Sequence, residues 1–518
     1  MAQQFALPKI CIALGISDAQ QLLQHARREA AAGERFLEFR LDYLPRPEQG
    51  YAILKQFLEE YPDATLLATC RRHQNGGRYT GSIEQQVRIL EGAVAAGAQA
   101  VDVEIESAEN VAANLENLRG NAWLICSYHN FSGTTGLDKV LRRMSKVPAD
   151  GYKIVTTARK PSDCYRVLAL GRSNPKAKLV LLAMGEAGFA TRVLSPAFGG
   201  IYTYAAPTAA EGTASGQVSA RMLRHLYRVD KITKSAKIYG VIADPVRHSL
   251  SPAIHNRAFQ TRRIDAVYLP FLVKPAQLKD FLLFAGKMPV AGFSVTIPHK
   301  QKIIRYLDQV DPLAKRIGAV NTVWRKGSSW RGTNTDAAGV TVPLAKRLRL
   351  AKASVLLIGN GGAARGAAFA LQEAGAKLFV TGRNIDRVRA LAKMCGGEPL
   401  TPEQAEAGQF DALVHATPLG MSPHTHECFF SSRIPAEVVF DMVYNPLETV
   451  LLQRAAEAGK TVIAGLEMFV EQATRQFEIW TGDAAPRAAM EKAVREALGA
   501  PPEPVAAKNG SKAAGGKR

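Results

Sequence analysis

The sequence predicts an α/β chain in two parts, an N-terminal (β/α)8 barrel followed by a two-lobed α/β half whose second lobe is doubly wound. Two observations carry this prediction. Between Lys9 and about Tyr227, short apolar strands alternate eight times with amphipathic helical segments, and eight such units close a barrel. Further on, SVLLIGNGGAARGAAFAL (354–371) runs an apolar strand into Gly359-x-Gly361-x-x-Ala364 and then a helix, the strand–turn–helix setting of a Rossmann dinucleotide site.

The 518 residues are too many for one ordinary core. Apolar content of 47% and charged content of 22% describe a globular chain. No basic segment followed by a long apolar stretch opens it, and no apolar run reaches membrane-spanning length, so cytoplasmic residence without membrane contact is expected. The six cysteines lie far apart without a CxxC pair and several sit inside apolar strands, which favours buried free thiols over bridges or a metal site. Net charge of +20 raises nucleic-acid binding, but the basic residues form no run of three. A basic enzyme of small anionic substrates has the same pattern, and no nucleic-acid partner is expected. The sequence leaves the oligomeric state open.

In chain order, the barrel strands are expected at CIAL (11–14), FLEFR (36–40), LLATC (66–70), AVDVEI (100–105), WLICSY (123–128), YKIVT (152–156), LVLLAM (179–184) and IYTYA (201–205). Ser82 and Gln85 form the spacing of a capping box, and Gly97 suits the C-terminus of the helix between them. Lys153 stands in the middle of the sixth strand. Such a lysine either reaches out to water or is held dry, and a dry amine is a nucleophile able to form an imine with a ketone. Barrel chemistry sits at the C-terminal strand ends. Those ends carry Glu38, Arg40, Arg71, Glu104, Glu106, His129 and Lys153, with Arg192 and Gln217 in later loops. A lysine, a histidine and several arginines converging on one mouth describe a site for an anionic ketone.

EFRLD (38–42), SYHNF (127–131), YKIV, MGEAGFATR (184–192) and GTASGQVS (212–219) together resemble type I 3-dehydroquinate dehydratase. The resemblance implies a Schiff base on Lys153, with His129 removing the C2 proton and assisting loss of the C1 hydroxyl. Arg192, Gln217 and Thr213 then bind the substrate, with Glu38, Arg40 and Arg71 completing the pocket. Asn75 stands where the family usually has the glutamate that supports the histidine, and Glu104 is the substitute partner expected here.

The stretch Val229–Ser235 joins the halves, and its brevity implies docked domains. In HSLSPAIHNRAF, Ser249 and Ser251 precede a helix with Pro252 in its first turn, a pattern open to simple capping or to an anion site. GFSVTIPHK (292–300) reads as a strand ending in Lys300, and AVNTV and GTNTD place Asn321 and Asp336 at loop ends. In the fingerprint, Gly359 permits the tight turn, Gly361 admits the pyrophosphate, and Ala364 lets helix and strand close up. The next strand, KLFVTGRN (377–384), ends on Arg383 rather than an acid, with Arg387 following, and two guanidinium groups suit the 2′-phosphate of NADP.

With HATPLGM (415–421), DMVYNPLET (441–449) and GLEMFVEQA (465–473), these motifs resemble shikimate dehydrogenase across 237–500. That implies a catalytic pair of Lys300 and Asp336, and shikimate contacts from Ser249, Ser251, Thr296, Asn321, Tyr444 and Gln472. The NADP site is expected from Gly359, Gly361, Gly362, Ala363, Ala364, Arg383, Asn384, Arg387, Thr417 and Gly465. Ser294 and His415 replace frequent asparagines.

The expected division is a barrel over 1–228, a substrate-binding domain over 236–338, a Rossmann domain over 339–500 and a disordered basic tail over 501–518. The last helices, about 465–500, are candidates to pack back on the substrate domain. The whole resembles the plant-type fusion of two consecutive shikimate-pathway enzymes, which dehydrates 3-dehydroquinate and reduces 3-dehydroshikimate with NADPH. Two alternatives remain at this point: a quinate dehydrogenase in the second half, or a ligand-sensing regulator on the same folds.

Overall fold

The structure, a computed structural model, describes residues 7–207, 213 and 216–499. The tail 501–518 lies outside the described residues. The described residues form two compact units, one up to Pro252 together with Arg263–Thr335, the other made of Ala253–Arg262 and the residues from Asp336 on.

The first unit holds the barrel. Its strands are β1 (Ile10–Leu14), β2 (Phe36–Arg40), β3 (Thr65–Thr69), β4 (Ala100–Glu104), β5 (Trp123–His129), β6 (Gly151–Thr157), β7 (Leu179–Met184) and β8 (Thr203–Ala205). They pair in parallel in the order β7-β6-β5-β4-β3-β2-β1-β8. An isolated bridge, Leu179 with Gly200, brings the two ends of that order together. The helix Ile83–Ala95 starts at the Ser82–Gln85 capping box and is followed by Gly97 at φ +110°, as the sequence predicts.

Strand periodicity explains what fills the barrel. Alternate residues point inward, so one cluster collects Cys11, Ala13, Phe36, Leu67, Ala100, Ile125, Val180 and Tyr202 at the lower levels. Two and four residues on, the same faces carry Glu38 and Arg40, Asp102 and Glu104, Ser127 and His129, and Lys153. The floor is therefore apolar and the mouth polar, which is what a parallel barrel with its chemistry at one end requires.

A six-stranded mixed sheet completes the first unit. It consists of β9 (Lys237–Ala243), β10 (Ala266–Leu272), β11 (Val290–Val295), β12 (Gln309–Val310), β13 (Thr322–Lys326) and β14 (Ser329–Thr333), in the order β10-β9-β11-β13-β14-β12. The strand expected to end at Lys300 stops at Val295, and residues 297–301 form turns. Pro298 accounts for this, since it cannot donate to a ladder. Barrel and sheet dock through the helices Pro161–Ser173 and Leu278–Lys287. Asp280 accepts hydrogen bonds from Ser162 N at 2.8 Å and Ser162 Oγ at 2.7 Å, and pairs with Lys160 at 3.1 Å. One domain's carboxylate thus satisfies the amide of the other's helix start.

The second unit is a parallel sheet of β15 (Ser354–Ile358), β16 (Lys377–Thr381), β17 (Glu398–Pro399), β18 (Phe410–His415), β19 (Ala436–Asp441) and β20 (Thr461–Ile463). Its order, β17-β16-β15-β18-β19-β20, reverses between β15 and β18. That is the 3-2-1-4-5-6 order of a doubly wound fold, with its ligand crevice at the switch point. The helix Gly465–Thr481 packs on the helix Asp336–Ala345. Phe477 also meets Phe259 of the segment 253–262 at 5.6 Å between ring centroids.

Candidate active sites

A cavity opens at the C-terminal end of the barrel. Glu38, Arg40, Arg71, His129, Lys153, Arg192, Thr213 and Gln217 all line it, so the sequence-predicted barrel residues converge on one space. Asn75, Gly76, Phe131 and Tyr204 line it as well.

Lys153 is held dry at 3% exposure. Its Nζ lies 2.6 Å from Asp102 Oδ2 and 3.9 Å from Glu38 Oε1, and donates a hydrogen bond to Tyr204 Oη at 3.1 Å. Asp102 is the hub beneath it. Its Oδ1 accepts from Arg71 Nη2 at 2.9 Å and Ser127 Oγ at 2.7 Å. Burial opposes the charge of Asp102, but Arg71 and Lys153 outweigh it and hold the carboxyl well below its usual range. Asp102 thus stays ionised, in contact with the buried guanidinium on one oxygen and the buried lysine on the other.

The register pairs Ser127 with Lys153 and places His129 one inward position further up the adjacent strand. Arg71 Nη1 donates to His129 Nδ1 at 3.2 Å. Burial, then Arg71 and Lys153, push the imidazole well below its usual pKa, so it is neutral at pH 7. Arg192 is buried, and burial lowers its guanidinium to about 10. Arg40 forms a two-pronged pair with Asp42, both distances 2.8 Å.

Glu104 is not the partner of His129 that the sequence reading expected. Its oxygens accept from Arg72 N at 2.9 Å and Gln86 Nε2 at 2.6 Å, so it braces the loop after β3. Asn75 donates to Glu106 Oε2 at 2.8 Å, and its own Oδ1 has no partner. Asp102, Ser127 and Tyr204 were missed by reading only strand ends. The alternation Asp102–Glu104 and Ser127–His129 would have found the first two, because residues two apart share a face.

In the substrate-binding lobe, Ser251 N donates to Ser249 Oγ at 3.3 Å, the geometry of a capped helix start. Ser294, in place of asparagine, accepts from Tyr268 Oη at 2.7 Å. Asn321 is buried; its Nδ2 donates to Thr335 Oγ1 at 3.0 Å and its Oδ1 accepts from Thr335 N at 2.8 Å. Thr296 follows β11 and its carbonyl accepts from His299 N at 2.8 Å. Lys300, whose own carbonyl accepts from Val320 N at 2.8 Å, belongs to this first unit.

Asp336 opens a helix of the second unit. Gly339, one turn on, lets the helix Gly465–Thr481 approach, since a Cβ there would lie 3.1 Å from Met468 O and 3.5 Å from Gln472 Cβ. Tyr444 stacks on Phe469 at 4.8 Å. At the switch point, Gly359 has φ +124°, and a Cβ would press on Ala416 O at 2.9 Å. Gly361, Gly362 and Ala363 are exposed at the start of the helix Gly362–Glu373, while Ala364 is buried beneath it. A Cβ on Gly361 or Gly362 would meet nothing within 4 Å. Open space over a helix N-terminus fits a pyrophosphate. Arg383 and Arg387 follow β16 and are exposed. These residues fit NADP. Asn384 caps the next helix by accepting from Arg387 N at 3.0 Å, so that side chain is engaged in the fold. Gly465 is a close-packing position, its Cβ site 2.3 Å from Val443 O.

His415 turns inward. Its Nδ1 lies 2.9 Å from Asp441 Oδ1 and its Nε2 2.5 Å from Thr417 Oγ1, within the loop that faces Gly359. Asp441 also accepts from Thr449 Oγ1 at 2.5 Å. The histidine that replaces asparagine is therefore the middle of a buried polar chain. Among the described residues no cluster of metal-ligating side chains occurs, and no helix is long and apolar enough to cross a membrane.

Comparison with known proteins follows the same division. The type I 3-dehydroquinase family matches residues 10–234, and the shikimate dehydrogenase substrate-binding domain matches 241–323. The shikimate/quinate 5-dehydrogenase family matches 343–420, and the shikimate 5′-dehydrogenase C-terminal domain 465–495. A bifunctional 3-dehydroquinate dehydratase/shikimate dehydrogenase of Arabidopsis thaliana, described as chloroplastic, is 34% identical over 503 residues, covering 92% of this chain and 83% of its own. A shikimate dehydrogenase (NADP(+)) of Methanobrevibacter smithii is 39% identical over 283 residues, 52% of this chain and 99% of its own. A crystal structure of a shikimate dehydrogenase in complex with NADP+ is 35% identical, covers 52% of this chain and 97% of its own, and has a TM-score of 0.49. Since one relative spans both halves and each half matches its own family, the chain belongs to the bifunctional 3-dehydroquinate dehydratase/shikimate dehydrogenase family.

Proposed function

We propose that this chain carries out two consecutive steps: Schiff-base dehydration of 3-dehydroquinate in the barrel, then NADPH-dependent reduction of 3-dehydroshikimate to shikimate in the second half. The observation that carries the first step is a dry Lys153 sharing one cavity with a neutral His129 and the buried Arg192. The amine attacks the C3 ketone, and the resulting iminium withdraws electrons from C2. His129 moves the proton from C2 and assists departure of the C1 hydroxyl as water. Arg192, Gln217 and Thr213 hold the carboxylate and hydroxyls, with Glu38, Arg40 and Arg71 closing the pocket.

For the second step, Lys300 and Asp336 form the pair that exchanges a proton with the reacting oxygen. Ser249, Ser251, Thr296, Asn321, Tyr444 and Gln472 orient the ring. Bound NADPH supplies the hydride. The turn at Gly359–Ala364 and the helix it opens hold the pyrophosphate, Arg383 and Arg387 meet the 2′-phosphate, and Thr417 lines the crevice beside Gly359. The domain division given above, 1–228, 236–338 and 339–500, is part of this reading. Six free cysteines suit a reducing compartment such as the cytoplasm, and no nucleic-acid or membrane partner is invoked.

Borohydride trapping with 3-dehydroquinate, read by mass spectrometry, tests the first step; an adduct on Lys153 is expected and its absence overturns that assignment. An NADPH-consumption assay with 3-dehydroshikimate tests the second. Lys153→Ala abolishes dehydration and leaves shikimate oxidation intact, whereas loss of both in a folded variant contradicts two separate sites.

A further inference from the structure

Tyr204 is a phenol in the wall of the barrel cavity, on β8, and the site residues named so far give it no task. Its Oη accepts a hydrogen bond from Lys153 Nζ at 3.1 Å, from the cavity side of the amine. The amine also contacts two carboxylates, Asp102 at 2.6 Å and Glu38 at 3.9 Å. Tyr202 Oη lies 3.4 Å behind Tyr204 Oη and the rings meet edge to face, so the phenol is braced from below.

We propose that Tyr204 is a further catalytic residue of the dehydratase, the relay that transfers a proton from the Lys153 nitrogen to the ketone oxygen as the two bond. The proposal rests on the imine reading above. When the amine adds to C3, the N–C bond forms and the C=O π pair moves to oxygen, leaving a positive nitrogen and a negative oxygen on the same carbon. The nitrogen must lose a proton and the oxygen must gain one before water can leave. A hydroxyl that already accepts from the nitrogen passes its own hydrogen to that oxygen while it takes one from nitrogen. The phenol ends as it began, so no net charge is created in the barrel.

The other candidates serve this step less well. Asp102 does not line the cavity and stays ionised beneath the lysine, held by Arg71 and Ser127. Glu38 faces the cavity, but it is 3.9 Å from the nitrogen and accepts from Thr69 Oγ1 at 2.6 Å. His129 is committed to the C2 side. Burial, then Glu38, raises the Tyr204 pKa, which keeps the phenol protonated and able to both give and accept.

Tyr204→Phe removes the hydroxyl and keeps the ring. Borohydride trapping of 3-dehydroquinate by quench-flow is expected to show adduct formation on Lys153 slowed at least tenfold. The isotope effect from deuterium at C2 should fall towards one, because addition rather than proton removal then limits turnover. Shikimate oxidation on the same sample reports folding. Should Tyr204→Phe fold poorly, 3-fluorotyrosine at position 204 preserves shape and alters acidity, and the trapping rate should still change. Trapping at the wild-type rate with an unchanged isotope effect in a folded variant overturns the proposal. Failure of the wild-type enzyme to form any adduct overturns the imine reading instead.

Discussion

Asp102 Oδ2 lies 2.6 Å from Lys153 Nζ, while Asp102 Oδ1 lies 2.9 Å from Arg71 Nη2. One carboxylate thus contacts both the nucleophile and the arginine that touches the histidine. Removing one partner of a buried charge pair costs about 3–5 kcal/mol, because the other charge is left without compensation. Asp102→Asn is therefore expected to destabilise the first unit on that scale in urea unfolding. Dehydratase kcat/KM should fall by about two orders of magnitude, the scale of one lost electrostatic group in an active site, with shikimate oxidation retained below the unfolding range. The sign with pH is definite. Asp102 has a lowered folded pKa, so its stabilisation is complete above the ordinary carboxylate range and disappears on acidification through the folded value.

Asn75 offers a gain-of-function test. In this chain His129 Nδ1 receives a hydrogen bond from Arg71, and the residue where a glutamate is usual donates instead to Glu106. A carboxylate at position 75 would accept from the imidazole and raise its pKa. Asn75→Glu is expected to move the acid limb of the kcat/KM profile for 3-dehydroquinate upward by about one unit, the order of one opposite charge in contact. Glu106, already paired with Arg143 at 3.4 Å, would then face a like charge. Asn75→Glu with Glu106→Gln removes that repulsion and should show the same shift with better stability.

His415 bridges the ends of β18 and β19, with Asp441 on one ring nitrogen and Thr417 on the other. Losing it frees the Thr417 hydroxyl and strips one partner from a buried carboxylate. A hydrogen bond to a charged group contributes about 1.5–3 kcal/mol, so about tenfold or more is at stake. His415→Ala is expected to raise KM for NADP by about tenfold with little change in kcat. His415→Asn, which restores the family's usual residue, should recover most of it. Equal falls in kcat and kcat/KM with an unchanged KM would contradict a role in holding the cofactor loop.

The barrel was legible because its signal repeats. Eight strand–helix units and a capping box at Ser82 each needed only local pattern, whereas the dry state of Lys153 on β6 depended on the charged strand ends around it. Asp102 was only half legible: its alternation with Glu104 puts it on the inward face, but Arg71 from the loop after β3 and Lys153 from β6 reach it only in the folded barrel. Glu104 shows the converse. It stood at the right strand end, yet tertiary contacts with Arg72 and Gln86 claimed both oxygens. At Lys300 the apolar run GFSV suggested a longer strand, and Pro298 ended the pairing early. The strand–turn–helix at 354–371 was legible because its cues are local: Gly359 takes a positive φ against Ala416 O, and Ala364 is buried one turn on. His415 was visible as a departure, but its partner Asp441 lies 26 residues away and only the parallel pairing of β18 with β19 brings them together.

The second unit should also respond to acid through His255. This side chain is fully buried, its Nε2 lies 3.2 Å from Gln476 Oε1, and its ring centroid is 5.0 Å from that of Trp480. Burial pushes its pKa down to about 3, against an ordinary value near 6.5. The folded state therefore disfavours the protonated form. The stabilisation is complete above about pH 6.5, where the unfolded chain is also neutral, and is lost as pH falls from there towards 3. At roughly 1.4 kcal/mol per unit, about 2 kcal/mol is lost by about pH 5. Hydrogen exchange in the helix Gly465–Thr481 reads this locally, apart from the titrating groups of the barrel. Its protection is expected to fall by about thirtyfold between pH 7.5 and 5 after correction for intrinsic exchange, the factor equivalent to that energy. In His255→Gln the same helix should start less protected and show a much flatter dependence. A wild-type helix whose corrected protection does not change over that interval would mean that the ring is already charged, or already wet, in the folded protein.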